Sequence, residues 1–253
     1  MSFAAIILAG TRPGGDPLAM AEGTSHKALI EIEGRTMLER VVTALRGSGA
    51  SPIAVSCDDP QVIALAQRLG AQVLPTGNGP SVSAGLAFEQ LGAPLLVTTS
   101  DHALLQSEWV EQLVVDTPDD ADVGIMLARR DAIEAVLPES RRTYLRLADA
   151  EWSGCNLFFL KTPGARAAID SWQAVEADRQ RPWRIAWRLG LKTLLSYAMG
   201  RMTMAQAIAT LGRRMGVEAR LVPARNGLAA VDADKPGDLV DIRRLVRNGQ
   251  SPD

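Results

Sequence analysis

Three aspartates in two short stretches could do chemistry in this 253-residue chain. "VTTSDHALL" delivers Asp101 where an apolar run gives way to polar residues. "AAVDADKPGDL" supplies Asp232 and Asp234, and two-residue spacing points both side chains to one side of an extended backbone. Hard carboxylate oxygens of this kind suit Mg²⁺ shared between protein carboxylates and a substrate's phosphates. Each also has an ordinary use: Asp101 as the cap of a following helix, and Asp238, beyond Pro236, as a cap at a helix start. His102 reads either as a substrate contact or as a polar residue near a helix start, and Lys235 as exposed or phosphate-facing.

A glycine-rich loop complements the acidic groups. In "LAGTRPGGDPLA" a hydrophobic run ends at Leu8, Ala9, Gly10 and Thr11. Gly10, Gly14 and Gly15 let backbone N–H groups approach a phosphate closely. Arg12 adds a planar fork of donors matched to phosphate oxygens. Lys27, in "TSHKALIEI", follows after a long spacer and could reach the same anion. Neither G-x-x-x-x-G-K-[ST] nor G-x-G-x-x-G is present. Taken alone, the loop is as consistent with a structural turn as with a phosphate cradle. In "TGNGPSVSAGLA", Asn78 and Gly79 lead into a helix that opens with Ser81 and Ser83. Helix N-termini bind anions and polar groups, and an amide-bearing turn can read a base edge; a plain N-cap is the other reading.

The elements that must position these residues alternate in kind. "AAIILAG", "PIAVSC", "AQVLP", "PLLVTTSD" and "DVGIMLAR" read as strands. "TMLERVVTALRGSG", "PQVIALAQRLG", "SVSAGLAFEQLG" and "SEWVEQLVVD" read as helices between them. Such alternation predicts an α/β fold of the Rossmann-like three-layer α/β/α kind, with a mostly parallel sheet. Both the glycine loop and Asp101 then leave the carboxyl ends of strands, where open α/β sheets bind ligands.

From about Thr143 the pattern changes. "TYLRLAD", "CNLFFLK", "VEARLVPA" and "LAAVD" read as strands that make the sheet mixed. "GARAAIDSWQAVEAD", "TMAQAIATLGRRMG" and "PGDLVDIRRLVRN" read as helices. One domain over 1–253 is expected, with a helical insertion at about 180–216. Within it, Arg184, Arg188 and Lys192 form a basic stripe beside Trp183, Trp187, Leu191, Leu194 and Ala198. Packing onto the core is preferred for this helix over a membrane-surface role.

Net charge of −2 argues against a nucleic-acid partner held by phosphate contacts. "MSFAAIILAG" is too short to span a bilayer and has no basic segment before it, so a cytoplasmic protein is expected. Cys57 and Cys155 lie in apolar contexts without metal spacing and read as reduced core residues. The sequence sets no oligomeric state.

"ILAGTRPGG" with Lys27, "TGNGPSVSAG", "TTSDHALL" and "VDADKPGDL", in this order, resemble the MobA-like nucleotidyltransferase superfamily. The resemblance implies a glycosyltransferase-A type fold and attack by an acceptor's phosphate on the α-phosphate of a nucleoside triphosphate, releasing pyrophosphate. It implies Mg²⁺ on Asp101, Asp232 and Asp234, with Arg12, Lys27 and Asp101 as the catalytic groups. It further implies that the nucleotide lies on residues 8–11, Gly14, Gly15, Asn78, Gly79, Ser81 and Ser83. By analogy with sugar-phosphate enzymes the acceptor lies against "WSGCNLFFL", with Asn156 as its contact, and a backbone-satisfied buried asparagine is the alternative. "SDHALL" and "VDADKPGDL" are closer to polyol- or inositol-phosphate cytidylyltransferases, which favours CTP. GTP with a molybdopterin or cobinamide phosphate, or a non-catalytic nucleotide-binding protein, are the alternatives. The stretch between Arg12 and Lys27, with Asp16 and Pro17, is longer than the family loop and is expected to form a flap over the nucleotide.

Overall fold

The computed structural model describes residues 2–11, 14–140, 142–177, 195 and 197–249. Ten strands and nine helices are named here in chain order among those residues. The strands are β1 (Ala4–Ala9), β2 (Glu31–Ile32), β3 (Arg35–Thr36), β4 (Ile53–Cys57) and β5 (Gln72–Leu74). They continue with β6 (Leu95–Thr99), β7 (Val123–Arg129), β8 (Leu145–Arg146), β9 (Glu151–Leu160) and β10 (Ala219–Pro223). The helices are α1 (Pro17–Ala21), α2 (Met37–Gly47), α3 (Pro60–Arg68), α4 (Pro80–Leu91) and α5 (Ser107–Asp116). After them come α6 (Arg130–Val136), α7 (Arg166–Ala177), α8 (Met204–Met215) and α9 (Pro236–Arg247).

The main sheet runs β10-β7-β9-β6-β1-β4-β5, with β8 paired to β9. β1, β4, β5 and β6 pair in parallel, as do β7 and β10; β9 runs antiparallel to both β6 and β7. Alternation along β1 separates two cores. Ala5, Ile7 and Ala9 join the apolar residues of α2, α3, α5 and α9 on one face. Ala4 and Ile6 join those of α4, α7 and α8 on the other. The expected three-layer α/β/α architecture with a mostly parallel mixed sheet is the one found.

Local chemistry sets the boundaries. Asp59 and Asp16 cap α3 and α1 by accepting backbone N–H bonds, each with proline at the first helical position. Thr203 and Gln206 form a reciprocal capping box on α8, which ends at Gly216 in the left-handed conformation (φ 74°).

Some expectations need correction. "LAAVD" is not a strand: Gly227–Ala230 form a 3₁₀ turn capped by Asn226, whose side chain accepts from Leu228 N at 2.9 Å. Gly227 packs so tightly on the backbone of Ala132 that no side chain fits there, which fixes the turn against α6. "TYLRLAD" shrinks to the two exposed residues of β8, and β9 begins four residues before "CNLFFLK". The expected flap contains α1, whose Leu18 and Ala19 are buried in the core. Much of the stretch expected as a helical insertion, including Arg184, Arg188 and Lys192, lies outside the described residues; within that stretch α8 packs on β10 and α7. No helix among the described residues is long and apolar enough to cross a membrane.

Candidate active site

Strand order dictates where the site forms. The carboxyl ends of β1, β4 and β6 lie side by side, and the loops leaving them edge a cleft of about 1320 Å³. Leu8, Ala9, Gly10 and Thr11 line it from β1, and Asn78, Gly79, Ser81 and Ser83 from the turn into α4. Thr99, Ser100 and Asp101 line it from β6, Asn156 from β9, and Asp232 and Asp234 from the segment before α9.

The three aspartates converge, with one carboxylate oxygen from each inside a cluster 4.8 Å across. Ala233 N donates to Asp101 O (3.1 Å), tying the C-terminal pair to the end of β6. Lys27 Nζ bonds Asp101 Oδ2 and lies 3.3 Å from Asp234 Oδ1. Arg142 pairs with Asp232 Oδ1, whose other oxygen accepts from Asn156 Nδ2 at 2.7 Å.

Asn156 reaches that carboxylate because of a bulge. Between the pairs Ile125↔Phe158 and Leu127↔Gly154 the register slips, leaving extra residues on β9. Asn156 takes φ 50° there, a left-handed conformation that asparagine tolerates better than most residues.

Burial and charge oppose each other at Asp101, Lys27 and Asp232. Burial alone would raise the Asp101 carboxyl, but the Lys27 ammonium outweighs it and holds the group below its ordinary range. Burial would lower Lys27, and Asp101 with Asp234 reverses that, raising it. At Asp232 burial wins over Arg142, with the neighbouring Asp101 adding to it, and the carboxyl is raised. Among the described residues three carboxylates face two cations, Lys27 and Arg142, which leaves one negative charge in excess. Asp101 Oδ1 is buried and has no hydrogen-bond partner among the described residues. A buried, unpartnered carboxylate oxygen is costly unless something binds it. A divalent cation among these three oxygen ligands fits that donor set.

Other expected residues stand elsewhere. Arg12 lies outside the described residues. Gly14 and Gly15 adopt φ 88° and 82° and are exposed, but do not line the cleft. His102 is 1% exposed, stacks on Trp109 with ring centroids 6.1 Å apart, and is absent from the cleft wall. Burial pushes its pKa down to about 4, so the ring is neutral. Asp238 is the cap expected of it, accepting from Asp234 N (3.0 Å) and Lys235 N (2.8 Å).

Four residues here escaped the sequence reading. Asp58 accepts from Thr11 N (3.0 Å) and Oγ1 (2.7 Å), anchoring the glycine loop to β4. His26 caps the turn carrying Lys27, accepting from Ala28 N at 3.0 Å. Arg142 and Glu176 come from distant segments. Asp58 had a signal, because "AVSCDDP" ends in carboxylates at a strand terminus just as "VTTSD" does.

Residues 5–174 match the MobA-like NTP transferase domain, which is most of the chain. The chain belongs to that family. This MobA-like protein is accordingly a nucleotidyltransferase. It is similar to a hypothetical transferase from Thermus thermophilus, at 31% identity and TM-score 0.82, over 94% of this chain and 100% of that one. It shares its fold with CMP:2-keto-3-deoxy-manno-octonic acid synthetase complexed with CTP, at 17% identity and TM-score 0.59 over 98% and 99% of the two chains. The fold is also that of a nucleotidyl transferase from Methanothermobacter thermautotrophicus, at 17% identity and TM-score 0.57 over 97% and 98%. No curated protein matches the MobA-like sequence.

Proposed function

We propose that this nucleotidyltransferase moves the nucleotidyl group of an NTP, CTP in preference, to the phosphate of a small acceptor, releasing pyrophosphate. One observation carries the reading: three carboxylates and Lys27 meet at the carboxyl edge of the sheet, in a cleft roomy enough for two substrates. The resemblance of "SDHALL" and "VDADKPGDL" to polyol-phosphate cytidylyltransferases supports CTP. So does the CTP bound to one protein of the same fold.

Asp101, Asp232 and Asp234 would hold Mg²⁺, which when bound draws charge from phosphate oxygens. Lys27, which lines the same cleft beside these carboxylates, would offset negative charge on the triphosphate. The amide of Gly10 orients the phosphates, and Arg12 supplies a further cation; the Thr11 amide is held by Asp58 and shapes the loop instead. Asn156 holds Asp232 in place and faces the acceptor. The chain is read as one catalytic domain with a helical insertion at about 180–216. Its two free, buried cysteines support a reducing, cytoplasmic setting.

The test is pyrophosphate release across the four NTPs with polyol, sugar and cofactor phosphates. CTP with a polyol phosphate is expected to give turnover; GTP with a cofactor phosphate alone would replace this choice of substrates. Asp101→Asn is expected to cut release on the order of a hundredfold, as removal of one preorganised electrostatic group does. Nucleotide affinity should fall far less. Unchanged release in the variant would overturn the role of Asp101.

A further inference from the structure

The part of the cleft formed by the start of α4 and the end of α7 carries its own carboxylate. Glu176, near the end of α7, reaches across to the first turn of α4. Its Oε2 accepts from Ser81 N at 3.1 Å and from Ser81 Oγ. Its Oε1 lies against Gly79, where any side chain would collide with it, and no hydrogen bond among the described residues engages that oxygen. Gln173, one turn earlier on α7, also lines this end. Residue 176 falls just beyond the part of the chain that matches the family, 5–174.

A carboxylate seated on the α4 N-terminus leaves no place there for a phosphate. Like charge repels it, and the amide that would receive it is taken. A triphosphate in this cleft must therefore extend toward Lys27 and the aspartates, which leaves the nucleoside facing Glu176. A carboxylate oxygen only accepts hydrogen bonds. It favours a base edge that offers an amino group and rejects one that offers a carbonyl at the same place.

We propose that Glu176 is a specificity-determining residue, whose free oxygen accepts from the exocyclic amino group of the bound base. The inference rests on the nucleotide lying in this cleft as described above. CTP and UTP probe the interaction, because the amino group of cytosine is replaced by a carbonyl in uracil, with the adjacent N3 changing from acceptor to donor; GTP and ITP differ by the amino group alone. Sites built to bond such a group discriminate strongly, since a mismatch leaves buried polar groups unpaired.

The experiment measures Mg²⁺-dependent binding of CTP and UTP, and of GTP and ITP, to the full chain by calorimetry. Wild type, Glu176→Gln and Glu176→Asp are compared, with melting curves to verify folding. Wild type is expected to prefer the amino-bearing member of the pair it binds by at least tenfold. Glu176→Gln, whose amide can donate as well as accept, should bring the ratio near unity, for CTP and UTP mainly by strengthening UTP, and for GTP and ITP, where inosine carries only hydrogen at that position, by weakening GTP. Glu176→Asp, which keeps the charge but loses reach, should lower the ratio part-way. A wild-type ratio near one, or a ratio unchanged in folded Glu176→Gln, would overturn the proposal and leave Glu176 as a cap of α4. Absence of binding by any nucleotide would bring down the functional reading together with it.

Discussion

At the scale of single residues, Lys27 decides how the acidic cluster survives burial. Its ammonium sits beside a carboxylate that is itself 6% exposed. Removing one partner of a buried pair strands the other charge, which typically costs about 3 kcal/mol or more. Lys27→Met is therefore expected to melt roughly 6–12 °C below wild type at neutral pH without Mg²⁺. The pH dependence should reverse as well. In wild type Asp101 titrates below its ordinary value of 3.8, so its contribution to stability is full above that pH and fades as acid protonates it. In the variant burial dominates and the folded carboxyl titrates above the unfolded one. The destabilisation is then present above the raised value and relieved as pH falls through it. Thermal melts from pH 8 to pH 2, with and without Mg²⁺, check both statements. A variant that follows the wild-type pH profile would show that Lys27 does not compensate Asp101.

At the scale of elements, the bulge in β9 converts a core strand into part of the site. A regular strand would alternate Cys155, Asn156 and Leu157 in and out of the sheet. The left-handed turn at Asn156 instead aims its amide at Asp232. Replacement by glycine normally weakens a strand, yet here the order should invert. Asn156→Gly removes the bond to Asp232 but keeps the backbone relaxed, whereas Asn156→Ala removes the bond and adds about 1 kcal/mol of left-handed strain. Urea denaturation should thus rank wild type above Asn156→Gly and Asn156→Ala lowest. An alanine variant as stable as the glycine one would contradict the strain argument. Such a bulge leaves almost no trace in "WSGCNLFFL", because hydrophobic patterning reports which face is buried and not where register slips.

The same distinction explains how much of the site could be read in advance. Asp101 and the cleft-lining glycine Gly10 follow the ends of strongly periodic strands, which the sheet brings together by topology. Lys27, Asp232 and Asp234 instead sit on irregular segments and are legible through "TSHKALIEI" and "VDADKPGDL". "LAAVD" misled because the four small or apolar residues before Asp232 fit a strand and a buried 3₁₀ turn equally well, and close packing on α6 decided between them. Arg142 and Glu176 depend on contacts between segments 90 and 95 residues apart, which periodicity does not encode. His102 sits next to the cluster in sequence but turns into the core, stacked on Trp109.

At the scale of the whole molecule, the two cysteines report on opposite parts of one sheet. Cys57 ends β4 and Cys155 lies in β9, with β1 and β6 between them. Both are free and at most 3% exposed. Burial, reinforced by Asp58 and Asp59, pushes the Cys57 thiol up to about 11, and burial raises Cys155 further from its ordinary value. Because the thiolate is the reactive form, neither should react with a disulfide reagent while the sheet is intact at pH 8. Modification then requires opening of the sheet, so the two thiols should react together along the urea transition. Cys57 is the sharper probe, since the neighbouring Asp58 anchors the glycine loop. Any ligand that binds only the folded cleft shifts opening by mass action, about 2.7 kcal/mol at a hundred times its dissociation constant. Mg²⁺ with the preferred NTP is thus expected to slow modification of both thiols on the order of a hundredfold in moderate urea. If Cys57 reacts early while Cys155 stays protected, the β4 edge opens alone and the sheet does not unfold as one unit. A ligand that then protects only Cys57 would locate nucleotide binding at that edge.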